Sequence, residues 1–278
     1  MKRHWLSGVL AAAALCLPIR QAGGKLVDCL GGVRKTRWIL PLGLAEVSGL
    51  ALTDDGRLLA HDDERGRVVE FDYKTGNIVK SFRLGPALPR DDFEGIAVVG
   101  SRVYLVTSAG LLYAFAEGKG GAVVPYTVTT THAGDGCEVE GLAADPPRRA
   151  LLFLCKTPRA RGKTGGITLL RWSLERNQWF APDHITVPID ADAGRRLGLL
   201  FRGSDLSRDP VTGRFLAVAS INKAVAEFTH DGRLVGIGPL GKHHPQPEGV
   251  AVAKDGTVIV TDEGGNGAAR VSVYACGR

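Results

Sequence analysis

The chain has 278 residues, 44% of them hydrophobic and 23% charged, with 37 glycines and 14 prolines. Those proportions exclude a disordered or collagen-like chain and leave apolar material for one large domain or two small ones. The formal charge of +6 is scattered: the one local basic cluster, Arg159, Arg161 and Lys163, has no interleaved aromatic residues, so a nucleic-acid platform is not expected.

Residues 1–24 differ from the rest. Lys2, Arg3 and His4 precede an apolar stretch from Trp5 to Ile19, and the small residues Ala22, Gly23 and Gly24 follow. This is the layout of a secretory signal peptide, too short for a comfortable membrane span. Lipid anchoring at Cys16 is not expected, because Leu15 stands where a small residue belongs. Loss of Lys2, Arg3 and Arg20 with this segment lowers the formal charge from +6 to +3, so the basic balance says little about partners. Residues 25–278 are expected to form a single periplasmic or secreted domain.

Glycine turns punctuate that domain at short intervals: Asp55-Gly56, Gly76-Asn77, Gly100-Ser101, Asp231-Gly232 and Asp255-Gly256. Between them lie runs such as RLLAHDD, RVVEFDY, RVYLVTS, LLYAFAE, ALLFLCK, RFLAVAS and TVIVTDE. They are short, hairpin-linked and rich in β-branched and aromatic residues, which predicts an all-β chain of antiparallel strands. Five acidic starts precede apolar runs at Glu46, Glu94, Glu140, Asp205 and Glu248, separated by 48, 46, 65 and 43 residues. A self-similar unit of that length holding four short strands predicts a β-propeller. Five blades is the count, and six the alternative if the long third interval hides a hairpin. That interval contains TPRARGKTGG and DADAGRRLGLLFRG, which read as loop insertions. The last unit has only three strands, EGVAVAKDG, TVIVTDEGG and ARVSVYACG, and TRWILPL near the N-terminus supplies the fourth. Pairing TRWILPL with ARVSVYA closes the ring and removes its edges.

Inner-strand starts converge on one face of a propeller, so the five acidic positions are expected at the channel mouth. Asp62, Asp63, Glu64, Asp262, Glu263 and Asn266, which end second strands, are expected on the same rim. Either the carboxylates accept amide hydrogen bonds from neighbouring blades, or they hold a cation that offsets their repulsion. Calcium, which takes six to eight oxygens in irregular geometry, suits such a ring better than magnesium. The rim loops read as acidic, with Arg90 the nearest basic neighbour.

The segments EVSGLAL, DDFEGIAV, EVEGLAA, GSDLSRD and PQPEGVAV, in that order behind a signal-like segment, resemble the SdiA-regulated (YjiK-like) family of bacterial envelope proteins over residues 36–276. The resemblance implies a five-bladed propeller with bound calcium and no established catalytic activity. GSDLSRD departs from the pattern, since Asp205 stands in place of a Glu-Gly pair.

RGKTGG at 161–166 lacks the first glycine of a phosphate loop, with Thr157 in its place, and no GxSxG nucleophile motif occurs. His243 and His244 lead into PQPEG, on a loop expected to reach the mouth. Cys29, Cys137, Cys155 and Cys276 allow three pairings. Topology favours Cys29 with Cys276, across the closing strands, and Cys137 with Cys155, across a hairpin. The function expected is an exported calcium-binding propeller, a ligand- or protein-binding or scaffold module whose mouth face meets a small ligand or an envelope protein. The alternative is a calcium-dependent propeller hydrolase acting on phosphate esters, esters or lactones.

Overall fold

The computed structural model describes residues 26–32, 34–158, 166–190 and 201–277. The signal-like segment, Cys16, the Arg159 cluster and most of the two insertions lie outside them. The strands form five small sheets, each a blade of an all-β, five-bladed propeller. Blade one contains Val47–Leu52, Leu58–Asp62, Arg67–Asp72 and Asn77–Leu84. Blade two contains Phe93–Val99, Arg102–Thr107, Leu111–Ala116 and Tyr126–Thr130. Blade three contains Cys137–Asp145, Ala150–Pro158, Gly166–Ser173 and Gln178–Pro188. Blade four contains Asp205–Arg208, Phe215–Ala219, Ala224–Phe228 and Leu234–Pro239. Blade five contains Pro247–Val252, Thr257–Asp262 and Arg270–Ala275, with Thr36–Ile39 as its outer strand.

Closure follows the expected pairing, with Thr36 opposite Val273 and Ile39 opposite Arg270 in an antiparallel ladder. A short helix, Leu26–Leu30, precedes it and buries Leu26, Val27 and Leu30 against blades four and five. The Leu26 amide donates to buried Glu227 at 2.9 Å. Cys29 is bonded to Cys276, which ties this helix to the end of the closing ladder, and Cys137 to Cys155 within blade three. One pairing was not legible in the sequence: Val123–Val124 returns from blade two to lie parallel to the outer strand of blade one.

The hydrophobic core is five cores, one between each pair of adjacent blades. Successive side chains of a strand point to opposite faces. Leu58 therefore packs toward blade five, and Leu59 toward blade two. Both faces of a blade are buried, which is why runs such as RLLAHDD read as continuously apolar rather than alternating.

Near the axis the inner strands approach closely at one level, occupied by Gly49, Gly95, Gly141, Asp205 and Gly249 in the five blades. A Cβ on Gly95 would lie 2.5 Å from the Leu142 nitrogen, and one on Gly141 would lie 2.9 Å from the Asp205 Cα. This constriction stands between an acidic mouth and, at the other end, a cavity of about 420 Å³ whose walls include Leu52, Val98, Ala144 and Val252.

Candidate functional site

In four blades the inner strand breaks register just before the glycine level. Phe93 faces Thr107 and Gly95 faces Val106, which leaves Glu94 unpaired between them. Glu140 is skipped likewise between Val139 and Gly141, and Glu248 between Pro247 and Gly249. In blade one the break falls between Val47 and Leu50. A bulge of this kind turns one side chain out of the ladder, and here it turns three glutamates toward the axis.

The five acidic starts read from the sequence are not equivalent. The bulge position is Ser48, Glu94, Glu140, Ser204 and Glu248 around the ring. Glu46 precedes it by two residues in blade one, and Asp205 follows it by one in blade four, at the glycine level. Glu46 still lines the mouth. Asp205 does not: it is fully buried, and its Oδ2 accepts the amides of Val250 at 2.8 Å and Leu50 at 3.4 Å. Burial holds its carboxyl well above the usual carboxylate range.

The mouth is a cavity of about 290 Å³ lined by Glu46, Asp63, Glu94, Glu138, Glu140, Glu248 and Glu263, with Lys156 the one cationic lining residue among the described residues. Of the second-strand ends, Asp63 and Glu263 reach it, whereas Asp62 and Asp262 turn away and are buried, as alternation requires. Ligand oxygens of Glu46, Asp63 and Glu263 all lie within 4.8 Å of one another. Asp63 Oδ1 is buried without a hydrogen-bond partner among the described residues. The donor set is all oxygen, which fits a hard cation such as calcium.

Burial, then the neighbouring Glu140 and Asp92, pushes Glu94 up to about 9. Burial pushes Glu140 up to about 7 against the opposing bond from Lys156. Asp63 is pushed up to about 6 by burial and by Glu46 and Asp62 beside it. Glu263 is raised by burial and its contact with Glu46, and Glu248 by burial. These are carboxyl groups that a bound cation would let ionise together.

Lys156 corrects the reading of the rim as acidic with only Arg90 nearby. Its Nζ lies 2.7 Å from Glu140 Oε1 and 3.8 Å from Glu138 Oε1. It occupies in blade three the place that Asp63 and Glu263 hold in blades one and five, a correspondence legible in the hairpin pattern. His244 is also corrected: rather than facing the mouth it is fully buried, with Nδ1 2.7 Å from Asp262 Oδ2 and Nε2 2.6 Å from the Tyr274 hydroxyl. Asp262 Oδ1 in turn accepts the Gln246 amide at 3.2 Å, so this buried group braces a loop of the mouth.

The architecture and this mouth define a closed β-propeller with a polar axial site. The SdiA-regulated family model matches residues 195–276, in agreement with the resemblance seen in the motifs. No curated protein sequence matches the chain. Among solved structures, the luciferin-regenerating enzyme is similar with a TM-score of 0.54 at 7% identity, covering 86% of this chain and 95% of that one. Streptogramin B lyase, at 14% identity and a TM-score of 0.45, is matched over 82% of this chain. Virginiamycin B lyase from Staphylococcus aureus, at 13% identity and a TM-score of 0.45, is matched over 82% of this chain and 67% of its own. The chain spans 65% of the length of streptogramin B lyase. At these identities the likeness is one of fold.

Proposed function

We propose that this protein is an exported calcium-binding propeller, a binding module that presents its mouth to a small ligand or an envelope protein. The observation that carries the reading is the convergence of Glu46, Asp63 and Glu263 within 4.8 Å, in a mouth where further carboxylates crowd. Seven carboxylates against one ammonium among the described residues are hard to ionise together without a cation. Glu94, Glu140 and Glu248 supply oxygens directly or through water. Asp205 stands outside this set, since it is buried at the glycine level and its Oδ2 serves backbone amides. Export is supported by the two disulfides, which belong to oxidising compartments. Among the described residues no helix is long and apolar enough to cross a membrane.

The test is the metal content of the purified mature protein together with its melting temperature. Chelation should lower the melting temperature, and calcium should restore it better than magnesium. Melting that ignores both chelator and calcium would leave the carboxylates as structural acceptors. Lys156, an ammonium among the carboxylates, keeps the hydrolase reading open for assay: phosphoesterase, esterase or lactonase turnover that needs both calcium and Glu94 would establish it.

A further inference from the structure

The charge around the mouth is not five-fold. The residue two before the bulge position is Glu46, Asp92, Glu138, Arg202 and Gln246 in blades one to five, and at the mouth end of each second strand stand Asp63, Ser108, Lys156, Ser220 and Glu263. In blades one, two and five the backbones match: Asp63 donates its amide to Glu46, Ser108 to Asp92 and Glu263 to Gln246. The same two places therefore hold two acids in blade one, an acid and an amide in blade five, an acid and a base in blade three, and a base and a hydroxyl in blade four. Replacing an acid by a base at a fixed place in a ring reverses the local field without altering the frame. The mouth is acidic on blades five and one, and its basic groups, Lys156 and Arg202, stand on the side of blades three and four.

A second cavity, of about 430 Å³, opens on that basic side. Lys156, Arg202 and Lys223 line it, and it shares Lys156, Gln246 and Glu248 with the acidic cavity, so the two adjoin. Lys156 is engaged by Glu140. The Arg202 guanidinium and the Lys223 ammonium, both exposed, have no ion-pair partner among the described residues. Calcium takes six to eight oxygens, and places that the mouth carboxylates fill only through water are open to a ligand's oxygens. A guanidinium fork and an ammonium are the groups that hold carboxylate and phosphate oxygens.

We propose that this second cavity is an oxyanion site: it takes a carboxylate or phosphate group that meets Arg202 and Lys223 on one side and completes the coordination of the cation on the other. The inference rests on the calcium reading above and specifies the ligand class of the same mouth. A neutral ligand would leave both cations without a partner and would add nothing to offset the metal charge.

The test is calorimetric titration of the full mature protein with inorganic phosphate and, separately, succinate, each with and without calcium and below the solubility limit of calcium phosphate. The wild type should bind one of the two, more tightly when calcium is present, and the preferred anion names the source as phosphate or carboxylate. The double variant Arg202→Gln, Lys223→Gln should bind it about tenfold more weakly or worse, the loss expected for a charged hydrogen-bond pair, while calcium still raises its melting temperature as in the wild type. Equal anion binding by variant and wild type overturns the proposal. So does absence of binding to either anion while the calcium effect on melting is intact. If calcium has no effect on melting, the calcium reading has failed instead, and anion binding by metal-free protein that the double variant weakens would still support the site.

Discussion

The carboxylate of Asp205, on the inner strand of blade four, accepts the Val250 amide of blade five at 2.8 Å and the Leu50 amide of blade one at 3.4 Å. One side chain thereby joins three blades at the level where the other four carry glycine. Asp205→Ala should leave two buried amides unsatisfied and cost about 2–4 kcal/mol of unfolding free energy. The calcium-dependent rise in melting temperature should survive, because the mouth lies beyond this level. Denaturant unfolding with and without calcium measures both, and loss of the calcium response with stability preserved would make Asp205 a ligand instead.

Glu263 and Asp63 sit at the ends of second strands in adjacent blades, with Glu46 between them. Glu263→Gln keeps size and hydrogen bonding but removes one charge from the trio. It should abolish most of the calcium-induced rise in melting temperature, which for the wild type corresponds to about 2.7 kcal/mol at a hundredfold excess over Kd. Glu94→Gln, one blade away, should blunt the rise less. Thermal scans across a calcium series decide the order, and an unchanged response in Glu263→Gln would move the ion elsewhere.

A carboxyl group whose folded pKa is raised binds more protons folded than unfolded, so its stabilising effect is present at low pH and is lost as pH rises through the folded value. Asp63, Glu140 and Glu94, at about 6, 7 and 9, place that loss between about pH 5 and pH 9. Metal-free protein should therefore melt at progressively lower temperature across this range. Buried His61, depressed to about 4 by desolvation, acts in the opposite sense and withdraws stability as pH falls below its ordinary value. Calcium should flatten the alkaline slope and release protons on binding. A metal-free melting profile that stays level from neutral to alkaline pH would contradict this.

Cys29 and Cys276 enclose a loop with a sequence separation of 247 residues, and Cys137 and Cys155 one of 18. Chain entropy assigns about 5 kcal/mol to the first and about 3 kcal/mol to the second. Cys29→Ser with Cys276→Ser should lower stability more than Cys137→Ser with Cys155→Ser, and should also free the N-terminal helix for proteolysis. Titration of the unreduced, denatured wild type should find few free thiols; four would remove both bonds.

What the sequence by itself determined is whatever repeats locally. Asp-Gly turns at Asp55-Gly56 and Asp255-Gly256 and short β-branched runs specify hairpins, and the recurrence of the acidic starts counts five blades. The three-strand last unit with TRWILPL left over specifies the closure, and the closure brings Cys29 to Cys276. The tertiary structure decided which of the acidic residues face one another. A strand has a side-chain period of two, so a shift of one residue sends a carboxylate to the opposite face. Asp63 and Glu263 thus enter the mouth while Asp62 and Asp262, their neighbours, are buried in the blades. The bulges at Glu94, Glu140 and Glu248 add a residue that no spacing in the sequence announces, which is why Glu46 and Asp205 share their spacing in the chain but not their position in the ring. Lys156 and Arg202 are ordinary surface residues in one dimension. The ring sets them on the side opposite Glu46, Asp63 and Glu263, because residues far apart in the chain become neighbours when the inner strands meet at one axis.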